Sequence, residues 1–472
     1  MTDKPTFETV LPRRQFVATG AAAALGSLLG AAGLLEAAHA QPPAAAADKG
    51  LRWTNWSGLQ QARPTALPTP ATEAELQALM ASARGEIRAF GSGHSFTALV
   101  PTSGTIVSLD RLSGLISVDK KAMTATAHAG TRLGTLARLL DAQGLALRNL
   151  PDVDVQTIAG AISTGTHGTG ATLPALHADV VGLRVVKPGG QVVELHEAKD
   201  PDLLAAARVS LGSLGVISQV TLRVLPAFNL HRKVWLQPIE VLLQQAPMLA
   251  DKHRHFEMYC LPFTGYGAAI SHDLYTGQDL LLPQSADDQV LADLRQLRDW
   301  LGRFPQLRQW VARQFIDGNQ TEEARHRAHR LLSTVRPMKF NESEWHVPRA
   351  QGVACLRQII AAIEKHNEAF FPIEFRYIKG DGAWLSPFHG RDSCSIAVHA
   401  AADEPHDYLI KDCAPIFRAH QGRPHWGKLH QMSARELSAM YPRWQDFQSV
   451  RRQFDPQGQM LNAHLRQLFV KA

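Results

Sequence analysis

Glu374 and Arg376 stand two residues apart in Ile373–Ile378, a run that reads as a β-strand. Strand alternation puts both on one face, away from Ile373, Phe375 and Tyr377. A carboxylate and a guanidinium sharing a face can orient a polyhydroxyl compound and hold anionic charge that develops during a reaction. The same spacing suits a cross-strand salt bridge on a solvated face, and pattern alone leaves both readings open. His425-Trp426-Gly427-Lys428 supplies a second cation further on.

Two glycine-rich loops offer a different chemistry. Gly91-Ser92-Gly93-His94-Ser95 follows a short strand, where successive backbone amides can converge on an anion. Gly160-Ala161-Ile162-Ser163-Thr164-Gly165-Thr166-His167-Gly168-Thr169-Gly170 adds small hydroxyls suited to phosphate or polyol oxygens. Neither fits a common fingerprint: Phe96 stands where G-x-G-x-x-G needs its third glycine, and Thr166 where a P-loop needs lysine. Each alone could be a tight turn; together they suggest a nucleotide held by some other fold.

The elements that must position these groups can be read from the pattern. Thr72-x-x-Glu75 is a capping box opening a helix with Leu76, Leu79, Met80 and Ala83 on one face. Strands are expected at Ile87–Phe90, Thr105–Leu109, Met123–Ala129, Asp179–Lys187, Gln191–Leu195 and Val216–Val224, with helices at Leu133–Ala142 and Asp202–Val209. This α+β part runs from 53 to 228. A boundary near 226–232 separates it from a second α+β part, 229–472, with amphipathic stretches at Val290–Leu301 and Glu322–Leu332.

Composition narrows the class. Of 472 residues, 45% are hydrophobic and 19% charged, as in an ordinary globular protein. A net charge of +6 without dense Lys/Arg blocks speaks against a nucleic-acid partner. Cys260, Cys355, Cys394 and Cys413 form no C-x-x-C, and His253/His255 and His326/His329 lack further ligands, so no metal site is expected. Arg13-Arg14, the Ala-rich run Val17–Leu35 and Ala38-His39-Ala40 read as a twin-arginine export signal over 1–40, with a flexible leader at 41–52. A periplasmic protein is expected, or a membrane-attached one if the segment is retained.

The ordered set Gly91–Ser95, Gly160–Gly168 and Gly212-Ser213-Leu214-Gly215-Val216-Ile217 resembles the FAD-binding domain of the vanillyl-alcohol-oxidase superfamily. Glu374–Tyr377, Leu385-Ser386-Pro387, Arg391–Cys394, His425–Lys428 and Asp455-Pro456-x-Gly458 resemble its sugar-lactone and alditol oxidase branch. The resemblance implies an α+β fold with a two-lobed FAD-binding domain and a C-terminal substrate domain. It implies FAD attached through His94, with packing without a bond as the other reading. Gly91, Ser92, Gly93 and Ser95 would meet the pyrophosphate. Thr157, Gly160, Ser163, Thr164, Gly165 and His167 would line the flavin and ribityl chain, although His167 also suits a structural role. Val216 and Ile217 would meet the adenine side.

For the chemistry, the resemblance implies hydride transfer from a small sugar-derived alcohol to flavin. Lys428 would be the base, its pKa lowered by burial or by Arg376, assisted by Glu374 or His425. Two departures bear on specificity. Pro151 and Asp152 replace a small residue commonly found beside the flavin, which leaves O2 and a quinone or cytochrome open as electron acceptors. Ala400-Ala401 replaces a polar pocket residue, which favours a 1,4-lactone over a linear polyol. A periplasmic flavin-binding protein without turnover is the alternative of another class.

Overall fold

Alternation in the long strands decides which side chains meet. The computed structural model describes residues 50–283, 287–316, 321–334 and 338–470; the expected signal at 1–40 and leader residues 41–49 lie outside them. A nine-stranded sheet runs in the order Thr321–Arg327, Asn229–Pro238, Tyr266–Tyr275, His255–Leu261, Ile373–Lys379, Ser393–Ala401, Phe340–Pro348 and Arg423–Pro424. Its ninth strand, Gly170–Pro174, comes from the N-terminal part and pairs parallel with Ile373–Lys379. One face is apolar and takes helices. Phe375 lies against Gly352 of helix Gly352–Ile363, and Trp345 stacks on Phe417 of helix Cys413–Ala419. The other face carries Glu342, Glu344, Glu374 and Arg376, buried because the N-terminal part covers them.

That part is built on an antiparallel sheet ordered Val192–His196, Val180–Val186, Val216–Arg223, Thr124–His128 and Leu115–Asp119. The parallel pair Ile87–Phe90 and Thr105–Ser108 stands beside it. Helices Glu73–Ser82 and Leu133–Asp141 bury Leu76 and Met80, and Leu133, Leu136 and Leu140. Thr72 caps the first, accepting from the Glu75 amide, but the Glu75 carboxylate reaches back to Ala71 rather than to Thr72.

Two readings of the sequence need correction. Glu322–Leu332 is not one amphipathic helix: Thr321–Arg327 is an edge strand and only Ala328–Leu331 is helical. Pairing with Asn229–Pro238 outweighs the local helical pattern there. Gly160–Gly170 is not a continuous loop either. Ile158–Thr164 is a helix capped by the Thr157 hydroxyl, and Gly165 ends it in the left-handed region at φ +86°.

Arg88 ties the covering part together. It is buried within strand Ile87–Phe90 and donates to Leu99 O (2.7 Å), Leu211 O (2.6 Å), Gly212 O (3.0 Å) and Met460 O (2.5 Å). Burial lowers its pKa to about 10, which still leaves it charged at neutral pH. Arg88→Met should cost about 3–5 kcal/mol, because four carbonyls lose one shared donor. Denaturant unfolding should show the drop in midpoint; a shift below about 1 kcal/mol would mean that water replaces the guanidinium.

Candidate active site

A cleft of about 1580 Å³, counted with its open mouth, lies between the polar face of the nine-stranded sheet and the N-terminal part. On one wall, Gly91–Ser95 turns directly out of strand Ile87–Phe90, with Gly93 at φ +66°. Among the described residues, the amides of Ser92, Gly93, His94 and Ser95 donate to no other group of the chain. Four successive open amides make an anion cradle that fits a pyrophosphate. Gly91 sits hard against Thr157, where an added Cβ would meet Oγ1 at 1.9 Å. Thr157, Gly160, Ser163, Thr164 and His167 line the same wall, and Val216 and Ile217 line it beyond Leu211 and Gly212. Gly165 does not: as the helix cap it packs against Pro387, away from the cleft.

His94 stacks on Trp56 at 5.1 Å. Burial first, then Lys428 and Arg132, push its pKa down to about 4, so the imidazole is neutral at pH 7.

The opposite wall carries the charges. Arg376 meets Glu257 at 2.6 Å, Glu374 at 3.0 Å and Asp152 at 3.5 Å, and donates to the Tyr259 hydroxyl at 3.2 Å. Burial works against its charge, but Glu374 and Glu257 more than offset this and raise its pKa well above the ordinary value. Glu257, beneath the cleft floor, is shifted upward by burial. Lys428 is ion-paired with Glu342, whose other oxygen lies 3.6 Å from His399. His425 is pushed down to about 3, chiefly by burial. Its Nδ1 accepts from the Gly427 amide at 3.0 Å, which leaves the proton on Nε2. His425 therefore presents a neutral Nε2–H to the cleft.

Glu344 connects the two walls. It bonds His167 Nε2 at 2.9 Å and accepts from Ser395 at 2.5 Å. Burial opposes its charge, but His167 holds its pKa well below the carboxylate range. His346 lies beside this pair with neither ring nitrogen hydrogen-bonded among the described residues. His167, Glu344 and His346 place ligand-capable atoms within 4.8 Å of one another, a grouping that sequence spacing did not suggest.

Sequence reasoning missed Trp56, Glu342, Glu344 and His399 in this cleft. The period-two run Glu342-x-Glu344-x-His346 was a usable signal: three ionisable groups on one strand face. Pro151 and Asp152 do line the cleft. Ser333 donates to Pro151 O at 2.8 Å, and the Thr334 hydroxyl to Asp152 at 2.8 Å. Ala400 and Ala401 do not reach it: both are in the apolar core, so neither bears on lactone against polyol.

Known proteins are similar to this chain along most of its length. The FAD-binding-domain family matches residues 64–196, and the D-arabinono-1,4-lactone oxidase family matches residues 220–468. L-gulono-1,4-lactone dehydrogenase of Mycobacterium tuberculosis is 35% identical over 88% of this chain and 98% of its own. Mouse L-gulonolactone oxidase is 30% identical over 89% and 99%. Alditol oxidase of a Streptomyces species is 30% identical over 88% and 98%. Cholesterol oxidase from Brevibacterium sterolicum superimposes with a TM-score of 0.74 at 16% identity, covering 91% of this chain and 99% of its own, which extends the likeness of fold. The fold and the cleft define an FAD-linked oxidoreductase acting on CH–OH groups. The chain belongs to the D-arabinono-1,4-lactone oxidase family.

Two outcomes follow from the site. Gly91→Ala should lower severalfold the flavin that the purified polypeptide acquires, because the loop must back away from Thr157. Gly382→Ala, whose Cβ meets open space, should leave it unchanged; absorbance per polypeptide reads both. Burial also keeps His272, His425 and His430 near 3, His464 near 4, and His255 and His346 well below their ordinary value. The unfolded chain takes up these protons near pH 6.5, and the folded one does not until far lower. Stability should therefore hold above pH 7 and fall steeply from about 6.5 towards 4; a flat melting temperature across that range would refute the neutral assignments.

Proposed function

We propose that this enzyme oxidises a sugar 1,4-lactone of the arabinono- or gulonolactone type, with O2 reduced to H2O2. The observation that carries the reading is the meeting, in one cleft, of the open amide cradle with the Glu374–Arg376 and Glu342–Lys428 pairs. The names of the relatives support a lactone, and they are oxidases and dehydrogenases rather than inert flavin binders. FAD, held at Gly91–Ser95, Thr157–Thr164 and Val216–Ile217, supplies the hydride acceptor. In this reading residues 53–228 hold the cofactor, and 229–472 supply the substrate wall.

The chain's own groups do the rest. Glu374 and Arg376 orient neighbouring hydroxyls, with Asp152 and Glu257 fixing the guanidinium. The substrate's hydroxyl proton passes to the carboxylate of Glu342, and Lys428, its ion-pair partner, and Arg376 stabilise the negative charge that develops. His94 carries the flavin covalently: its neutral imidazole, stacked on Trp56, has the free lone pair this requires. Residues 1–40 direct twin-arginine export to the periplasm. A dehydrogenase using a quinone or cytochrome is the second reading, favoured by Pro151 in the cleft wall and by the relative named a dehydrogenase.

Acid precipitation of the purified protein should leave yellow flavin on the polypeptide, and His94→Ala should release it. With L-gulono- and D-arabinono-1,4-lactone, turnover should consume oxygen; dye reduction without oxygen uptake would select the second reading. Lys428→Met should lower kcat by about 10²–10³-fold. Near-normal turnover in that variant would remove Lys428 from the chemistry.

A further inference from the structure

Helices Asp287–Leu301 and Pro305–Phe315 form a hairpin whose outer surface is turned the wrong way for water. In the second helix Arg308 and Ala312 face inward and are buried, while Leu307 and Trp310 face out at 44% and 60% exposure. Phe304 at the bend is 60% exposed, and Trp300 at the end of the first helix 49%. A helix in contact only with water buries its tryptophan and exposes its arginine.

The inversion is fixed in place. Arg308 donates to Asn367 O at 3.1 Å and Ala369 O at 2.9 Å, and its guanidinium lies 4.2 Å from the Phe263 ring centre. On the first helix, Leu291 and Leu294 pack against Phe370 and Phe371, and Arg298 pairs with Glu404 at 2.9 Å. Both helices are bound by their inner faces, so rotation cannot hide the aromatic side chains.

Charge narrows the occupant. From Trp300 to Ile316 the chain has three arginines and no acidic residue, the preceding Asp299 being paired with Arg298; Arg303 and Arg313 are exposed beside the aromatic groups, Arg313 with its Nε on Thr264 O at 3.4 Å. Indole and phenyl rings flanked by arginines match the interface of an anionic bilayer, where rings enter the acyl boundary and guanidinium groups meet phosphates. No helix among the described residues is long and apolar enough to cross a membrane, so this contact is with one leaflet. We propose that the hairpin 287–316 docks the enzyme on an anionic lipid surface through Trp300, Phe304, Leu307 and Trp310. The hairpin rests on Phe370–Phe371, and Phe371 packs on His399 of the cleft wall, which brings the catalytic cleft close to that surface.

The test is co-sedimentation of the purified flavoprotein with vesicles of phosphatidylcholine alone or mixed with phosphatidylglycerol. Wild type should bind the mixed vesicles, more weakly as salt rises. Phe304→Ser/Trp310→Ser should bind about tenfold or more weakly with flavin absorbance unchanged. Arg303→Glu/Arg313→Glu, which leaves the rings in place, should lose the preference for anionic vesicles. All variants keep the same N-terminus, so any contribution from residues 1–49 cancels. Absence of binding, or equal binding by wild type and the Phe304/Trp310 variant, overturns the proposal. So does a lipid-free dimer that the same variant dissociates, since the face would then be a protein interface.

Discussion

The guanidinium of Arg88 is the constraint on which the cofactor cleft depends. Its donors end on carbonyls from three separate stretches: Leu99 after the first glycine loop, Leu211 and Gly212 before Val216–Ile217, and Met460 near the C-terminus. A charge buried this deeply persists only with its hydrogen bonds satisfied, and here backbone oxygens satisfy them. Those carbonyls therefore cannot drift apart without stranding the charge. The amides of Ser92–Ser95 stay open to a ligand because their neighbours are held by something other than the amides themselves.

The second determinant is a sheet face that is both polar and covered. Glu342, Glu344, Glu374 and Arg376 project from the face opposite the helices, and the N-terminal part closes over them. In that setting each charge needs a partner. Arg376 has three carboxylates, Lys428 has Glu342, and Glu344 has His167 and Ser395. Pairing of this kind pre-orients the groups, so that little reorganisation is left when charge moves in the reaction. The histidines around the pairs are neutral for a separate reason: burial takes their charge, and His425 is left as a donor.

Much of the site was legible because its signals are local. Glycines at Gly91 and Gly93, the Glu374-x-Arg376 alternation and the Lys428 motif declare themselves within a few residues. Trp56 and His399 went unnoticed, since each is an ordinary side chain until a segment from elsewhere lies beside it. Gly165 and Ala400–Ala401 went astray for the opposite reason. Their neighbours belong to the site, but one is turned away as a helix cap and the others lie in the apolar core.

By itself the sequence determined the α+β class, most strand positions in the N-terminal part, and the glycine-rich segments that line the cleft. These rest on period-two alternation, turn residues and glycine stereochemistry, all properties of neighbouring residues. Tertiary structure alone decided that Thr321–Arg327 is an edge strand and that Arg88 joins three segments. It also decided that Arg308 faces inward while Trp310 faces out. Hydrogen bonds and burial between residues tens to hundreds of positions apart set these outcomes, from Arg308 with Ala369 to Arg88 with Met460, and no local pattern encodes such distances.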